Sequence, residues 1–269
     1  TFHTKAGDFY ATKCIMATGG KTLKKSGSDG SGFLYLESLG HHIIDLVPGL
    51  IGLKGKQSFF ADIAGIRADA KVDLYIENAY VCSERGELQL TNYGISGIPV
   101  FQLSRVATRA LSEQKKVYAT LNFVPFWEKE QCLTYFKERF KEADEKRIGE
   151  ALIGFFPEKL IPVLLEESHI KVSKYANRLQ AEEIKRFVDT VQGLRVDITD
   201  WNTFDTAQVT AGGVDTDEID AETMESKICP GLYFAGEMVD IDGICGGYNL
   251  QWAWSSGAVA GIHAARELS

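Results

Sequence analysis

The stretch PGLYFAGEMVDIDGICGGYNLQWAWSSG, Pro230 to Gly257, decides how this chain is read. It opens on a short apolar run, Leu232-Tyr233-Phe234, with the pattern of a buried strand, and passes into Gly236-Glu237. A strand ending in Gly-Glu presents a carboxylate that can accept a hydrogen bond from a ribityl or ribose hydroxyl. Beyond it, Gly243, Gly246 and Gly247 let backbone approach a flat or anionic ligand closely. The helix expected from Tyr248, Asn249 and Leu250 onward would aim its first free N–H groups at that ligand. The plainer alternative is that Gly246-Gly247 only makes a tight turn before a buried helix rich in Trp and Ala.

Working outward, the start of the chain is of the same type. Asp8 to Lys13 and Cys14 to Ala17 read as strands, the second ended by Thr18-Gly19-Gly20, and Phe33 to Gly40 reads as a short helix with a glycine stop. From about residue 46 the texture becomes β-type, with segments at Leu50 to Leu53, Val72 to Ile76, Tyr80 to Cys82 and Leu88 to Leu90 separated by turns such as Glu84-Arg85-Gly86-Glu87. Gly97 to Leu111 has helical spacing and Val117 to Val124 alternates like a strand. Helical patterns then cover Glu128 to Ala143, Ile148 to Phe155, Lys159 to Glu166 and Ala181 to Val191, before strand character returns at Leu194 to Thr199 and Gln208 to Thr210. The expected fold is α/β plus α+β: a discontinuous dinucleotide-type domain, residues 1–46 with 206–269, interrupted by a β-barrel-like region, 47–127 with 192–205, and a helical subdomain, 128–191.

Composition narrows the function. With 45% hydrophobic residues the chain can bury a sizeable core. The net charge of -8, with basic residues scattered among acidic ones, argues against a nucleic-acid partner. No stretch approaches the ~20 apolar residues needed to cross a bilayer, so no membrane partner is expected. Five widely spaced cysteines, without a CxxC pair, indicate neither a zinc site nor a disulfide framework and fit a reducing, cytoplasmic compartment. His41-His42 reads as surface or turn histidines rather than a metal site. Arg105 and Arg109, four apart, are either a phosphate- or carboxylate-binding pair or a solvated helix face. Phe123-Val124-Pro125-Phe126-Trp127 reads as a strand end packing into a core. Cys245 lacks a resolving partner in sequence and reads as a packing thiol.

Beyond these physical signals, the run from Gly231 to Gly257 resembles the signature of the BaiN-like (HI0933-type) NAD(P)/FAD-dependent oxidoreductases. Ala17-Thr18-Gly19-Gly20 is similar to that group's ATGG motif, and Gly27-Ser28-Asp29-Gly30-Ser31-Gly32 to its following glycine-rich loop. Thr91 to Pro99 resembles its THxGxSGP segment, departing at Asn92 and Ile98. Glu237 stands where aspartate is usual in flavoproteins of the two-dinucleotide type. The resemblance extends over nearly the whole chain and is weakest from 128 to 191.

The resemblance implies FAD as cofactor, NAD(P)H as electron donor, and a small-molecule acceptor. It assigns cofactor contacts to Ala17, Thr18, Gly19, Gly20, Gly236, Glu237, Gly243, Gly246, Gly247, Tyr248, Asn249 and Leu250, and no catalytic acid or base. A complete member of the group opens with a βαβ unit carrying GxGxxG for the pyrophosphate, and this sequence has none. The expectation is therefore a carboxy-terminal part of such an enzyme, truncated before Thr1, that binds FAD weakly or not at all by itself. The alternatives are a non-catalytic binding or assembly module keeping the flavoprotein fold, and a tRNA-modifying or halogenase-like FAD enzyme.

Overall fold

The computed structural model describes residues 1–266. The chain divides into two compact units, Thr1–Leu50 together with the chain from Thr203 onward, and Ile51–Asn202. The first unit begins with a hairpin of β1 (Phe2–Thr4) and β2 (Gly7–Phe9), then β3 (Cys14–Met16), α1 (Ser31–Ser38) and β4 (Ile43–Gly49). The second contains β5 (Leu53–Gly55), α2 (Phe60–Ile63), β6 (Arg67–Ile76), β7 (Ala79–Thr91), β8 (Gly94–Gly97), α3 (Ile98–Ser112) and β9 (Val117–Asn122). It continues with α4 (Lys129–Glu142), α5 (Ile148–Leu152), α6 (Leu160–Glu167), α7 (Ala181–Gly193) and β10 (Leu194–Trp201). The chain then completes the first unit with β11 (Val209–Val214), β12 (Leu232–Phe234) and α8 (Tyr248–Arg266).

The second unit is built on a closed barrel in the order β10-β5-β8-β7-β6-β9. Closure follows from alternation with a period of two: Ala70, Val72 and Leu74 of β6, Val117, Ala119 and Leu121 of β9, and Leu194, Val196 and Ile198 of β10 all point inward and are buried. The outer face is polar, with Arg85 bonded to Asp69 at 2.7 Å and Arg67 to Glu87 at 3.0 Å between β6 and β7. Those cross-strand pairs explain a departure from the sequence reading. Glu84-Arg85-Gly86-Glu87 is not a turn but the middle of β7, where Arg85 and Glu87 pair diagonally with Asp69 and Arg67 of β6. The turn lies instead at Glu77-Asn78, both at positive φ (49° and 68°), joining Ile76 to Ala79 as a two-residue hairpin.

The helices α4 to α7 and the barrel share one hydrophobic core. α4 buries Cys132, Phe136 and Phe140 at a spacing of four, and α7 buries Ile184, Phe187, Val188 and Val191. Both start with a capping box, Glu128 with Gln131 and Gln180 with Glu183. Phe123 and Val124 are buried, and Trp127 stacks against Phe155, so that aromatic stretch belongs to this core.

In the first unit, β12 runs parallel to β3, pairing Leu232 with Cys14, Tyr233 with Ile15 and Phe234 with Met16. A second pair, β4 with β11, is antiparallel and irregular between Ala211 and Gly213. Phe33 and Leu36 of α1, Val214, Tyr233, Phe234, Met238, and Ala260 and Ala264 of α8 form the core between these layers.

Candidate functional site

Because β3 and β12 are parallel, the loops leaving their carboxyl ends emerge side by side, the place where open α/β sheets hold their ligands. From β3 comes Ala17-Thr18-Gly19-Gly20, and from β12 comes Ala235-Gly236-Glu237-Met238. The Ala235 N–H donates to the Met16 carbonyl at 3.0 Å, and the Thr18 hydroxyl to Met238 Sδ at 2.8 Å. α8 grips the second loop. The Gly236 N–H donates to Ser256 Oγ at 2.9 Å while Trp252 Nε1 donates to the Gly236 carbonyl at 3.0 Å. Ser256 and Trp252 lie four apart on one helical face, so both can serve the same glycine.

Glu237 joins three segments. Its Oε2 accepts from the Gly20 N–H at 3.3 Å and its Oε1 accepts from the Thr210 N–H of β11. Three residues on, Asp240 Oδ1 accepts from the Gly212 N–H at 3.0 Å. One edge of β11 pairs with β4, so its alternate N–H groups on the other edge would be orphaned without these carboxylates. Thr210 closes the knot, its Oγ1 accepting from the Lys21 N–H at 2.8 Å. A Cβ added at Gly20 would fall 2.3 Å from Thr210 Oγ1, so glycine is required there by close approach.

The Gly243–Leu250 segment is fixed by a single amide side chain. Asn249 Oδ1 accepts from the Gly243 N–H at 2.8 Å, and its Nδ2 donates to the Gly243 carbonyl at 3.0 Å. Gly246 and Gly247 both have positive φ, 129° and 90°, which carries the chain into α8. Helical bonding begins with the Gln251 N–H on the Gly247 carbonyl, and the N–H groups of Tyr248, Asn249 and Leu250 therefore have no intrahelical acceptor. The first turn of α8 carries no acidic residue to neutralise them.

A cavity of about 390 Å³ opens at this corner. Leu50, Val209, Ile241, Ile244 and Leu250 are among its apolar lining residues, and Gln208, Glu237, Cys245 and Asn249 are the polar side chains that line it. Of the residues singled out from the sequence, Glu237, Gly246, Gly247, Asn249 and Leu250 line it. Gly236 and Gly243 are not among the lining residues and are held by α8 as described. Ala17, Thr18, Gly19 and Gly20 are not in the wall; Thr18 bonds Met238 and Gly20 bonds Glu237 beside it. Tyr248 projects outward and is 58% exposed. Cys245 Sγ lies 3.9 Å from Gln208 Oε1.

Gln208, Val209 and Thr210 escaped the sequence reading as site residues, as did Ile241 and Ile244. The two isoleucines stand within the quoted glycine-rich stretch and could have been found by proximity to Gly243. Thr210 could not, because only the fold brings it to Glu237.

The reading of His41 is corrected. Rather than a surface or turn histidine, it is 4% exposed, with Nδ1 2.8 Å from Glu218 Oε2 and Nε2 2.9 Å from Ser226 Oγ. The serine hydroxyl also accepts from the N–H groups of Ile228 and Cys229 and is buried, so this row is a structural strut rather than a nucleophile. His42 is exposed beside Asp215. All five cysteines are free thiols. Burial, with Cys229 nearby, raises the Cys14 thiol above its ordinary range. Among the described residues no cluster of His, Cys, Asp and Glu could hold a metal, and no helix is long and apolar enough to cross a membrane.

The model of the HI0933-like protein Rossmann domain matches residues 1–263. The chain belongs to the HI0933-like family. The curated proteins it is similar to include a 3-dehydro-bile acid delta(4,6)-reductase of Clostridium scindens, 44% identical over 257 residues, covering 96% of this chain and 63% of the relative. The ribosomal RNA dihydrouridine synthase of Escherichia coli is 29% identical over 247 residues, covering 91% of this chain and 58% of that protein. The enzyme of the same name from Haemophilus influenzae is 28% identical over 255 residues, covering 94% and 60%. The chain thus spans about three-fifths of the length of the curated relatives it matches.

Proposed function

We propose that this HI0933-like chain forms the ring-facing part of an FAD-dependent oxidoreductase that passes hydride from NAD(P)H through the flavin to a small organic acceptor. The observation that carries the reading is the cavity at the start of α8, where an apolar wall meets the Gly246-Gly247 turn and the free N–H groups of Tyr248, Asn249 and Leu250. Its volume lies within the ~300–1,000 Å³ of small-molecule and cofactor sites. A flat ring of mixed polarity fits those walls, and N–H dipoles favour the negative charge a flavin ring gains on reduction. When bound, the flavin supplies the redox chemistry, and the protein supplies position, dryness and electrostatics. Ile241, Ile244 and Leu250 exclude water from one side, while Asn249 fixes the turn.

The ADP half of the cofactor is assigned to a part of the protein outside this chain. Parallel sheets are ordinarily covered on both faces, yet Ile15 in the middle of β3 is 41% exposed. α8 likewise exposes Leu250, Trp254 and Ile262 along one face. Further elements covering these surfaces would complete the dinucleotide domain, and without them this chain binds FAD weakly. The net charge of -8 supports a small-molecule acceptor over RNA, and the free thiols fit a cytoplasmic enzyme.

The test is to purify the full-length protein, record its visible spectrum, and add NADH or NADPH without oxygen. A flavin spectrum that bleaches supports the oxidoreductase. A colourless protein, or a flavin that neither nucleotide bleaches, favours the non-catalytic module.

A further inference from the structure

We propose that Gln208 recognises the ligand in the cavity, its side-chain amide nitrogen donating a hydrogen bond to a carbonyl oxygen of the flavin's pyrimidine ring; this rests on the flavin reading above. Gln208 stands immediately before β11 and lines the cavity. Its Oε1 lies 3.9 Å from Cys245 Sγ, and the thiol hydrogen, a weak donor, accounts for the oxygen end of the amide. Among the described residues its Nε2 has no hydrogen-bond partner. The other side-chain N–H groups of the lining are turned to the protein. Trp252 gives its single N–H to the Gly236 carbonyl, and the Asn249 amide is fixed in orientation by its two bonds to Gly243. No lysine, arginine or histidine is among the lining residues, so neutral donors must meet the ligand's acceptor atoms here.

The pyrimidine edge of a flavin alternates carbonyl, N–H and carbonyl, and a primary amide, with two N–H donors, matches a carbonyl on that edge. Reduction of the ring adds electron density to those oxygens. A neutral donor placed there therefore stabilises the reduced ring more than the oxidised one. A carboxylate in the same place opposes that charge, and an apolar side chain of similar size does neither. Gln208 is an exposed residue, so replacing it removes no core packing and its effect on the ligand can be read separately from folding.

The experiment uses the full-length protein with Gln208→Leu and Gln208→Glu. It reads the dissociation constant for FAD, the carbonyl stretching bands of the bound ring by infrared difference spectroscopy, and the midpoint potential, with Tm as the control for folding. Loss of one neutral hydrogen bond corresponds to roughly two- to tenfold, so FAD should bind Gln208→Leu more weakly by about that factor. One ring carbonyl band should move to higher frequency in the same variant. Gln208→Glu should bind at least as weakly and lower the midpoint potential. A merely structural role moves neither the carbonyl band nor the potential while Tm holds. Unchanged carbonyl bands and affinity in both variants overturn the assignment, leaving Gln208 a solvated amide and the flavin reading intact. An unaltered protein that binds no FAD overturns the flavin reading instead, and the role of Gln208 with it.

Discussion

Gly20→Ala adds one methyl group at the point where three segments of the site meet. The new Cβ would lie 2.3 Å from Thr210 Oγ1, 2.7 Å from Thr210 Cβ and 2.9 Å from Glu237 Cδ. Carbon atoms prefer about 3.5–4.0 Å, so β11 or the Glu237 loop must retreat by roughly 1 Å. Overpacking of this kind costs about 1–3 kcal/mol. The same displacement stretches the bonds from Gly20 N–H to Glu237 and from Lys21 N–H to Thr210, at about 0.5–1.5 kcal/mol each. Ala lowers the entropy of the unfolded chain and returns about 0.4–1 kcal/mol. The net loss is roughly 1–5.5 kcal/mol, a fall in Tm of about 4–20 °C for a unit of this size, read by circular dichroism on heating. Gly193→Ala is the control, because nothing lies within 4 Å of its added Cβ, and its Tm should hold. A Gly20→Ala shift as small as the control's would refute the close approach.

Two further outcomes follow from the charge and burial of single groups. The N–H groups of Glu222 and Thr223 hold the Asp220 carboxyl below its ordinary range, so its stabilising effect is complete above the unfolded carboxyl range near pH ~4 and is lost as pH falls through the lower folded value. Tm measured across acid pH should therefore fall more steeply for the unaltered protein than for Asp220→Asn, and parallel curves would contradict this. Burial pushes the Cys132 thiol up to about 12, so at pH ~8 it should escape iodoacetamide in the native protein and react only in denaturant. Labelling of native Cys132 at the rate of a half-buried thiol would show the α4 core to be open.

What could be read from the sequence was whatever depends on near neighbours. The strand-to-glycine passages at Met16 and Phe234, the Gly246-Gly247 turn and the helix after it were legible because each is written in consecutive residues. The capping pairs Glu128 with Gln131 and Gln180 with Glu183 mark their helices in the same local way. From sequence β7 reads as two strands because Glu84-Arg85-Gly86-Glu87 looks like a turn until its diagonal partners Asp69 and Arg67 on β6 are in place. His41 looked exposed because its partners, Glu218 and Ser226, are far along the chain. Glu237 was legible as important but not as a clamp. Its role depends on Gly20 and Thr210, which only the parallel pairing of β3 with β12 and the antiparallel pairing of β4 with β11 bring near.

The central claim is that the cavity beside Gly246-Gly247 holds the flavin ring. Ile244 lines that cavity and is 53% exposed, so Ile244→Trp fills the space without burying new surface in the core. The most direct measurement is flavin content per protein in the full-length chain, with and without that change, at matched Tm. Stoichiometric flavin in the unaltered protein, mostly lost in Ile244→Trp while Tm holds, is the predicted result. Equal flavin content in the two proteins would place the cofactor elsewhere and contradict the account.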